Sequence, residues 1–274
     1  MRSLRRLTAV PIALLIGSLG CSREEAGEAQ QAAEAQVQTR EIDYQYGDEP
    51  LQGFIAWDAA MAEKRPGVLV VHEWWGHNQH ARNQARRLAE AGYVGFALDM
   101  YGKGKLATHP EDAQAMAMEA TRDPAVTAGR FNAALERLKQ DPHVDPERIA
   151  AIGYCFGGAV VLTFARAGAD LDAVASVHGG MPEPAAVDSG AVKARILVLT
   201  GGADPLVPPE RVAAFADEMR AAGVDIEVIS YPGVRHSFTN PEAGQLGIDA
   251  LAYDAEADRR SWAAILEMLE EVFR

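Results

Sequence analysis

Six short apolar runs between residues 67 and 230 constrain the fold of this 274-residue chain more than any other feature of its sequence. They show little alternation, and they lie at 67–71, 93–98, 149–152, 171–177, 196–199 and 224–230. Helical spacing marks the stretches 79–90, 126–139, 157–167, 209–222 and 254–273. Strands that are apolar throughout are typical of parallel sheets covered by helices on both faces. The pattern therefore predicts a doubly wound, mostly parallel sheet in a three-layer α/β domain.

Two further runs, 42–46 and 51–57, come before this pattern and are joined by the turn sequence Gly47-Asp48-Glu49-Pro50. We expect them to form antiparallel strands at one edge of the sheet. The folded domain is then predicted to span residues 41–274 as one unit, which we expect to be a monomer.

The N-terminus has the features of an export signal in residues 1–21: Arg2, Arg5 and Arg6, then an apolar stretch at 9–16 that is too short to span a bilayer. Cys21 closes this segment and resembles the lipidated cysteine of bacterial lipoproteins, although Ser18 and Leu19 depart from that pattern. Residues 22–40 are polar and predict a flexible tether. We expect an exported, periplasmic protein that is anchored to a membrane through Cys21. Ordinary signal cleavage, with Cys21 lost or left free, is the alternative.

The net charge of −13 makes a nucleic-acid partner unexpected, because an acidic surface repels phosphate backbones. His72, Glu73, His77 and His80 carry groups that bind metals, but their spacing is not that of a known zinc motif. We therefore expect no metal and no cofactor, and a small molecule as the partner.

The run at 149–152 leads into Gly153-Tyr154-Cys155-Phe156-Gly157-Gly158, and a helical pattern follows at once. This is the tight strand-to-helix turn of a nucleophile elbow, with cysteine as the nucleophile. The N-terminus of the helix favours a thiolate at Cys155. The backbone amides of Phe156 and of Trp74, which follows the run at 67–71, are the expected oxyanion donors. The alternative is a glycine-rich turn around a buried structural cysteine.

Two further residues follow later runs at the positions where α/β-hydrolases hold the acid and the base of a catalytic triad. Asp204 follows the run at 196–199, and His236 follows the run at 224–230. The chain order Cys155, Asp204, His236 agrees with the order in that fold. The alternatives are a turn or cap residue for Asp204 and a surface residue for His236.

Four segments in order resemble the dienelactone hydrolase family over residues 42–273: His72-Glu73-Trp74-Trp75-Gly76, the cysteine elbow, Gly202-Ala203-Asp204, and Gly233-Val234-Arg235-His236-Ser237-Phe238. The resemblance implies that Glu73 pairs with the thiol and helps to form the thiolate when substrate arrives; the alternative is an acid on a surface loop. It also implies an arginine four residues after His236, which binds the substrate's carboxylate, but this chain has Asn240 there. A neutral amide cannot replace a guanidinium in binding an anion.

The substrate pocket is predicted to include Trp75, Tyr101, Phe238 and Asn240, with ordinary core packing as the alternative for the aromatic side chains. Residues 101–120 are interpreted as a flexible flap over the site. The chain is thus expected to be an enzyme of dienelactone hydrolase type that cleaves small esters or lactones through Cys155, His236 and Asp204. Two alternatives are a promiscuous carboxylesterase or thioesterase, and a lipoprotein that uses the same scaffold to bind a ligand without catalysis.

Overall fold

The computed structural model describes residues 35–274. The predicted signal segment, Cys21 and the tether as far as residue 34 lie outside the described residues. The prediction that the tether continues to residue 40 is wrong, because strand β1 (Val37–Tyr46) begins at Val37. The first four residues of β1 are exposed or half-exposed, so they lack the apolar run by which the other strands were predicted.

One sheet contains all the strands that the structure describes, in the order β1-β2-β4-β3-β5-β6-β7-β8. The remaining strands are β2 (Glu49–Asp58), β3 (Arg65–Val71), β4 (Val94–Leu98), β5 (Val144–Tyr154), β6 (Ala173–Val177), β7 (Arg195–Gly201) and β8 (Ile226–Tyr231). β2 pairs antiparallel with both β1 and β4, and every other pairing in the sheet is parallel. This confirms the predicted mostly parallel sheet with antiparallel N-terminal strands.

Helices cover both faces of the sheet, as the apolar runs predicted. Leu69 and Val71 of β3 point into one core, whose helices are α3 (Pro124–Lys139), α4 (Phe156–Arg166) and α5 (Pro209–Ala221). Val68 and Val70 point into the other core, which α1 (Gln79–Glu90) and α6 (Ala255–Val272) cover. Between residues 35 and 274, none of the helices combines the length and the apolar character needed to cross a bilayer.

Helix α2 (Pro110–Arg122) corrects the interpretation of residues 101–120 as a flexible flap. Its only fully buried residues are Ala113 and Ala120, so it offers little of the apolar stripe that reveals a helix in a sequence. Ala113 packs in a small cluster with Trp75, Ala107, Ala243 and Leu251. This cluster joins α2 to the loops after β3 and β8, and so covers the edge of the sheet where the predicted site residues lie.

The register of the parallel strands brings their carboxyl ends to one edge. Val71 pairs with Gly153, Tyr154 with Val177, and Gly201 with Tyr231. Residues that directly follow these strands are therefore neighbours in space although they lie far apart in the sequence. Ligands of open α/β sheets bind at this edge.

Candidate functional site

Cys155 lies at the turn between β5 and α4, with backbone angles of φ 53° and ψ −113°. Positive φ is uncommon for a residue with a side chain, and it marks local strain that the surrounding structure must hold. The amide of Cys155 donates to the Val177 carbonyl over 3.0 Å, and the side chain is half-buried with a free thiol. The predicted elbow is therefore present, and its cysteine is not enclosed in the core.

The glycines on either side of Cys155 let strand and helix approach each other. A Cβ atom on Gly153 would lie 2.0 Å from the carbonyl oxygen of Gly157, and one on Gly157 would lie 2.3 Å from that of Val71. No side chain fits at such distances, so the sharp turn requires glycine at both positions.

His236 and Asp204 form a buried pair, with Nδ1 of the imidazole 2.7 Å from Oδ2 of the carboxylate. Leu206 donates its amide to the other carboxylate oxygen over 2.8 Å, which fixes the acid. The backbone of His236 is held on both sides, since its amide donates to Ala250 and its carbonyl accepts from Ala252. Because Nδ1 faces Asp204, Nε2 is the ring nitrogen left available to Cys155.

Two neighbouring groups, Cys155 and Asp204, act on the pKa of His236. Burial lowers the pKa of an imidazole, but the negative charge of the Cys155 sulfur and the hydrogen-bonded carboxylate of Asp204 outweigh it and raise the pKa of His236 to about 10. Cys155 pairs with Val177, the next residue His178 packs its ring 5.1 Å from that of His236, and His236 bonds Asp204, so the three predicted residues lie at one edge of the sheet.

Glu73 is buried, with 1% of its surface exposed, and its carboxylate lies between two neutral donors. Ser237 Oγ donates to Oε1 over 2.7 Å, and Asn240 Nδ2 donates to Oε2 over 2.7 Å. The pairing with the thiol that the resemblance implied is thus not the arrangement in this structure. Asn240, predicted as a substrate-pocket residue, instead directs its amide at Glu73.

The two predicted oxyanion donors come from adjacent segments. Neither the Trp74 amide nor the Phe156 amide donates to another protein group within residues 35–274. Tyr101, predicted for the pocket, donates its hydroxyl to the Trp74 carbonyl over 3.0 Å. Its ring packs near that of Phe156, at 5.5 Å between centroids.

The other two predicted pocket residues are buried. Trp75 is 6% exposed and belongs to the small cluster with Ala113. Phe238 is fully buried in the core beside α1 and α6, where its ring packs against His178 and Tyr231. The core-packing alternative therefore describes Phe238, and the prediction that it lines a pocket is corrected.

Two buried histidines next to these residues were not predicted as part of the site. His178, directly after β6, has its ring centroid 5.1 Å from that of His236 and its Nε2 2.9 Å from Thr239 Oγ1. Burial, together with the positive charge of His236, holds the pKa of His178 well below its ordinary range. His72, directly after β3, contacts the backbone of Glu73. Their position after parallel strands is the sequence signal that could have found both, and His72 also begins the first of the four segments that resemble the family.

Within the part of the chain that the structure describes, no cluster of three or more His, Cys, Asp or Glu side chains is arranged to hold a metal ion. The groups that this edge of the sheet brings together are the thiol of Cys155, an imidazole paired with a carboxylate, and backbone amides. A cysteine elbow and a buried His–Asp pair at the carboxyl edge of this doubly wound sheet define the protein as an α/β-hydrolase.

The chain belongs to the dienelactone hydrolase family, whose family model matches residues 51–273. This confirms the resemblance carried by the four sequence segments. The chain is therefore a hydrolase that acts on ester or lactone bonds.

Solved and curated relatives agree with this assignment. The crystal structure of the dienelactone hydrolase-like promiscuous phosphotriesterase P91 from metagenomic libraries matches with a TM-score of 0.82 and 40% identity, over 86% of this chain and 98% of its own. Protein usf of Aquifex pyrophilus is 32% identical over 195 residues, which are 69% of this chain and 84% of the relative. A putative carboxymethylenebutenolidase of Aquifex aeolicus is 30% identical over 179 residues, or 64% of this chain and 77% of the relative.

Proposed function

We propose that the protein hydrolyses small, uncharged esters or lactones with Cys155 as nucleophile, His236 as proton carrier and Asp204 as the group that orients His236. The observation that carries this proposal is the buried imidazole of His236, which is fixed by Asp204 at 2.7 Å and whose pKa responds to the charge of Cys155. An imidazole held by a carboxylate and coupled to a nucleophile is the arrangement that acyl transfer requires.

The reaction proceeds in two halves. The Cys155 thiolate adds to the carbonyl carbon, and the carbonyl π electrons move to oxygen, which accepts hydrogen bonds from the amides of Trp74 and Phe156. Collapse of this intermediate expels the alkoxide, which takes a proton from Nε2 of His236. His236 then removes a proton from water, the hydroxide attacks the thioester, and the acid leaves as Cys155 returns to thiolate.

An uncharged substrate is favoured because the described residues around the site offer no free cation. Asn240 stands where the resemblance implies a carboxylate-binding arginine, and its amide is occupied by Glu73. Two other cations are also paired: Lys105 with Glu49, and Arg211 of α5 with Glu183. The role that the family suggests for Glu73, assisting ionisation of the thiol, requires its carboxylate to leave Ser237 and Asn240.

An apolar cavity of about 400 Å³ adjoins the elbow and supports an apolar substituent on the substrate. It begins at Phe156, the residue after the nucleophile, and runs along α4 to Ala167. Pro124 and Ala128 of α3 form its opposite wall.

A broader activity is the second candidate. The structure that is 40% identical to this chain is described as a promiscuous phosphotriesterase. A phosphotriester therefore belongs in the substrate panel, beside carboxylic esters, thioesters and lactones. Activity of similar size on all of them would favour a promiscuous enzyme over one devoted to lactones.

The deciding experiment compares Cys155→Ala with Cys21→Ala, which removes the chain's other cysteine. We expect Cys155→Ala to lose p-nitrophenyl acetate hydrolysis by at least about 10³-fold, and Cys21→Ala to keep it. The panel should also contain pairs of lactones with and without a carboxylate, and we expect no preference for the carboxylated member. Wild-type activity in Cys155→Ala would contradict the proposed nucleophile. Slow iodoacetamide labelling of Cys155 that does not depend on pH near neutrality, together with hydrolysis of no substrate, would favour the ligand-binding alternative.

We further propose that the protein is exported to the periplasm and anchored through a lipid on Cys21. The basic and apolar segments before that residue support this proposal. In bacteria grown with a labelled fatty acid, wild-type protein should carry the label and sediment with membranes, whereas Cys21→Ala should do neither. Equal labelling of both would exclude Cys21 as the anchor.

A further inference from the structure

The peptide unit between Glu73 and Trp74 is held through its carbonyl. The Glu73 carbonyl lies 2.6 Å from Nδ1 of His72, and it also accepts from the amide of Gly76 over 3.2 Å. A trans peptide is planar, so its N–H points away from its C=O. Two donors that fix the Glu73 carbonyl therefore also fix the direction of the Trp74 N–H.

The other ring nitrogen of His72 determines which tautomer is present. The Met100 amide donates to Nε2 over 3.2 Å, so Nε2 carries no proton and Nδ1 must carry it. The ring is fully buried, and burial lowers the pKa of His72. His72 is therefore a neutral imidazole whose one N–H is committed to the Glu73 carbonyl.

His72 also contacts the segment that contains the second amide. Its ring stacks on that of Phe156 at 5.7 Å between centroids, and its carbonyl accepts from the Gly157 amide over 3.1 Å. The edge of the Tyr101 ring packs against it at 4.7 Å. One side chain thus touches both segments whose amides are proposed to bind the oxyanion.

We propose that His72 is a positioning residue for this reaction: its Nδ1–H holds the Glu73–Trp74 peptide plane so that the Trp74 amide is presented to the oxyanion. The inference rests on the proposed function, because it assumes that the Trp74 amide serves the reaction. Preorganised backbone donors stabilise an oxyanion only when they already point at the place where its charge develops. Hydrogen bonding to the carbonyl of a peptide also strengthens its N–H as a donor.

Two substitutions distinguish the role of Nδ1 of His72 from the role of Nε2. His72→Asn can place an amide nitrogen where Nδ1 lies, and so keeps the donor to Glu73 while losing the acceptor for Met100. His72→Gln can place an amide oxygen where Nε2 lies, and so keeps that acceptor while losing the donor. His143→Phe, at the opposite edge of the sheet, controls for the loss of a histidine. Thermal unfolding of each variant reports whether it folds.

The measurements compare catalysis with binding of a trifluoromethyl ketone. Its carbonyl accepts the Cys155 thiolate, and the C–S bond forms as the π electrons move to an oxygen that only the oxyanion donors stabilise. For His72→Gln we expect kcat to fall about 10- to 100-fold and ketone binding to weaken by a similar factor, with KM changed less than about 3-fold. His72→Asn should restore both quantities to within about 3-fold of wild type.

Nuclear magnetic resonance of the wild-type enzyme gives a test that needs no variant. The ring nitrogens of His72 should show a neutral Nδ1–H tautomer at neutral pH. An Nε2–H tautomer, or equal kinetics in the Asn and Gln variants, would overturn the role of His72. A wild-type enzyme that neither hydrolyses esters nor binds the ketone would instead overturn the proposed function itself.

Discussion

The amide nitrogen of Asn240 lies 2.7 Å from Oε2 of Glu73, so a neutral side chain holds a carboxylate that is almost completely buried. Ser237 supplies the other donor, and the described structure gives this carboxylate no cationic partner. Buried carboxylates depend strongly on such donors, since removing one leaves the group incompletely paired. The contact links the loop after β3 to the loop after β8. It also distinguishes this site from one in which an arginine occupies the position of Asn240.

Replacing Asn240 tests the strength of this contact. Asn240→Ala should lower the free energy of unfolding by about 1–3 kcal/mol in urea titrations. Asn83→Ala, which removes an exposed amide of α1, should change it by less than about 0.5 kcal/mol. Asn240→Asp should make the stability depend on pH, because its carboxylate would face that of Glu73 and the two would repel each other. This variant should therefore regain stability as the pH falls. Equal losses in Asn83→Ala and Asn240→Ala would contradict the structural role of the contact.

Removing the charge of Asp204 should slow the reaction. Asp204→Asn keeps the size of the side chain but cannot stabilise an imidazolium, so kcat should drop on the order of 10³- to 10⁴-fold. Asp249→Asn, an exposed acid on the loop that supports His236, is the matched control and should keep full activity. Initial rates with a saturating p-nitrophenyl ester give the comparison, and unchanged kcat in Asp204→Asn would remove Asp204 from the proposed triad.

Stability should depend on pH through His236. Its pKa is raised to about 10 in the folded protein, against 6.5 ordinarily, so the folded state binds more protons than the unfolded state between these values. The stabilisation is complete below about pH 6.5 and is lost as the pH rises through about 10, with an upper limit of about 5 kcal/mol. In Cys155→Ser the hydroxyl stays neutral, so this pH dependence should be weaker. Urea titrations at several pH values over this range provide the test. If the free energy of unfolding changes with pH equally in the wild type and in Cys155→Ser, Cys155 does not raise the pKa of His236.

The fold was largely predictable because parallel strands are buried on both faces. Every residue of β4 and β6 is buried, and such strands leave continuous apolar runs in the sequence. Elements that bury little were missed or shortened: α2 buries two alanines, and β1 buries only Ile42. Periodicity cannot reveal an element that contributes so little to the core.

The site was predictable where a residue's role follows from its place after a strand, as for Cys155, Asp204 and His236. The partners of Glu73 were not, because Ser237 and Asn240 lie more than 160 positions away and the contact depends on side-chain orientation. His72 and His178 were missed for a related reason. His178 belongs to no motif, and the segment that begins at His72 resembles the family without giving His72 a role. Only the hydrogen bonds of the folded chain distinguish these two histidines from ordinary core residues.

The close approach at Gly157 should make the elbow intolerant of even one added methyl group. A Cβ there would lie 2.3 Å from the Val71 carbonyl oxygen and 2.8 Å from that of His72, and backbone atoms cannot move aside as a flexible side chain can. Gly157→Ala should therefore destabilise the protein by about 1–3 kcal/mol or more and reduce ester hydrolysis, since the same shift displaces Cys155. Gly244→Ala is the matched control, because a Cβ at that position meets nothing within 4 Å. Thermal unfolding followed by circular dichroism should show a Tm lowered by about 2–4 °C per kcal/mol in the first variant and little changed in the second. Similar Tm values for both variants would mean that strand β3 can move away from α4. The close contact at Gly157 would then not be what requires glycine in the elbow.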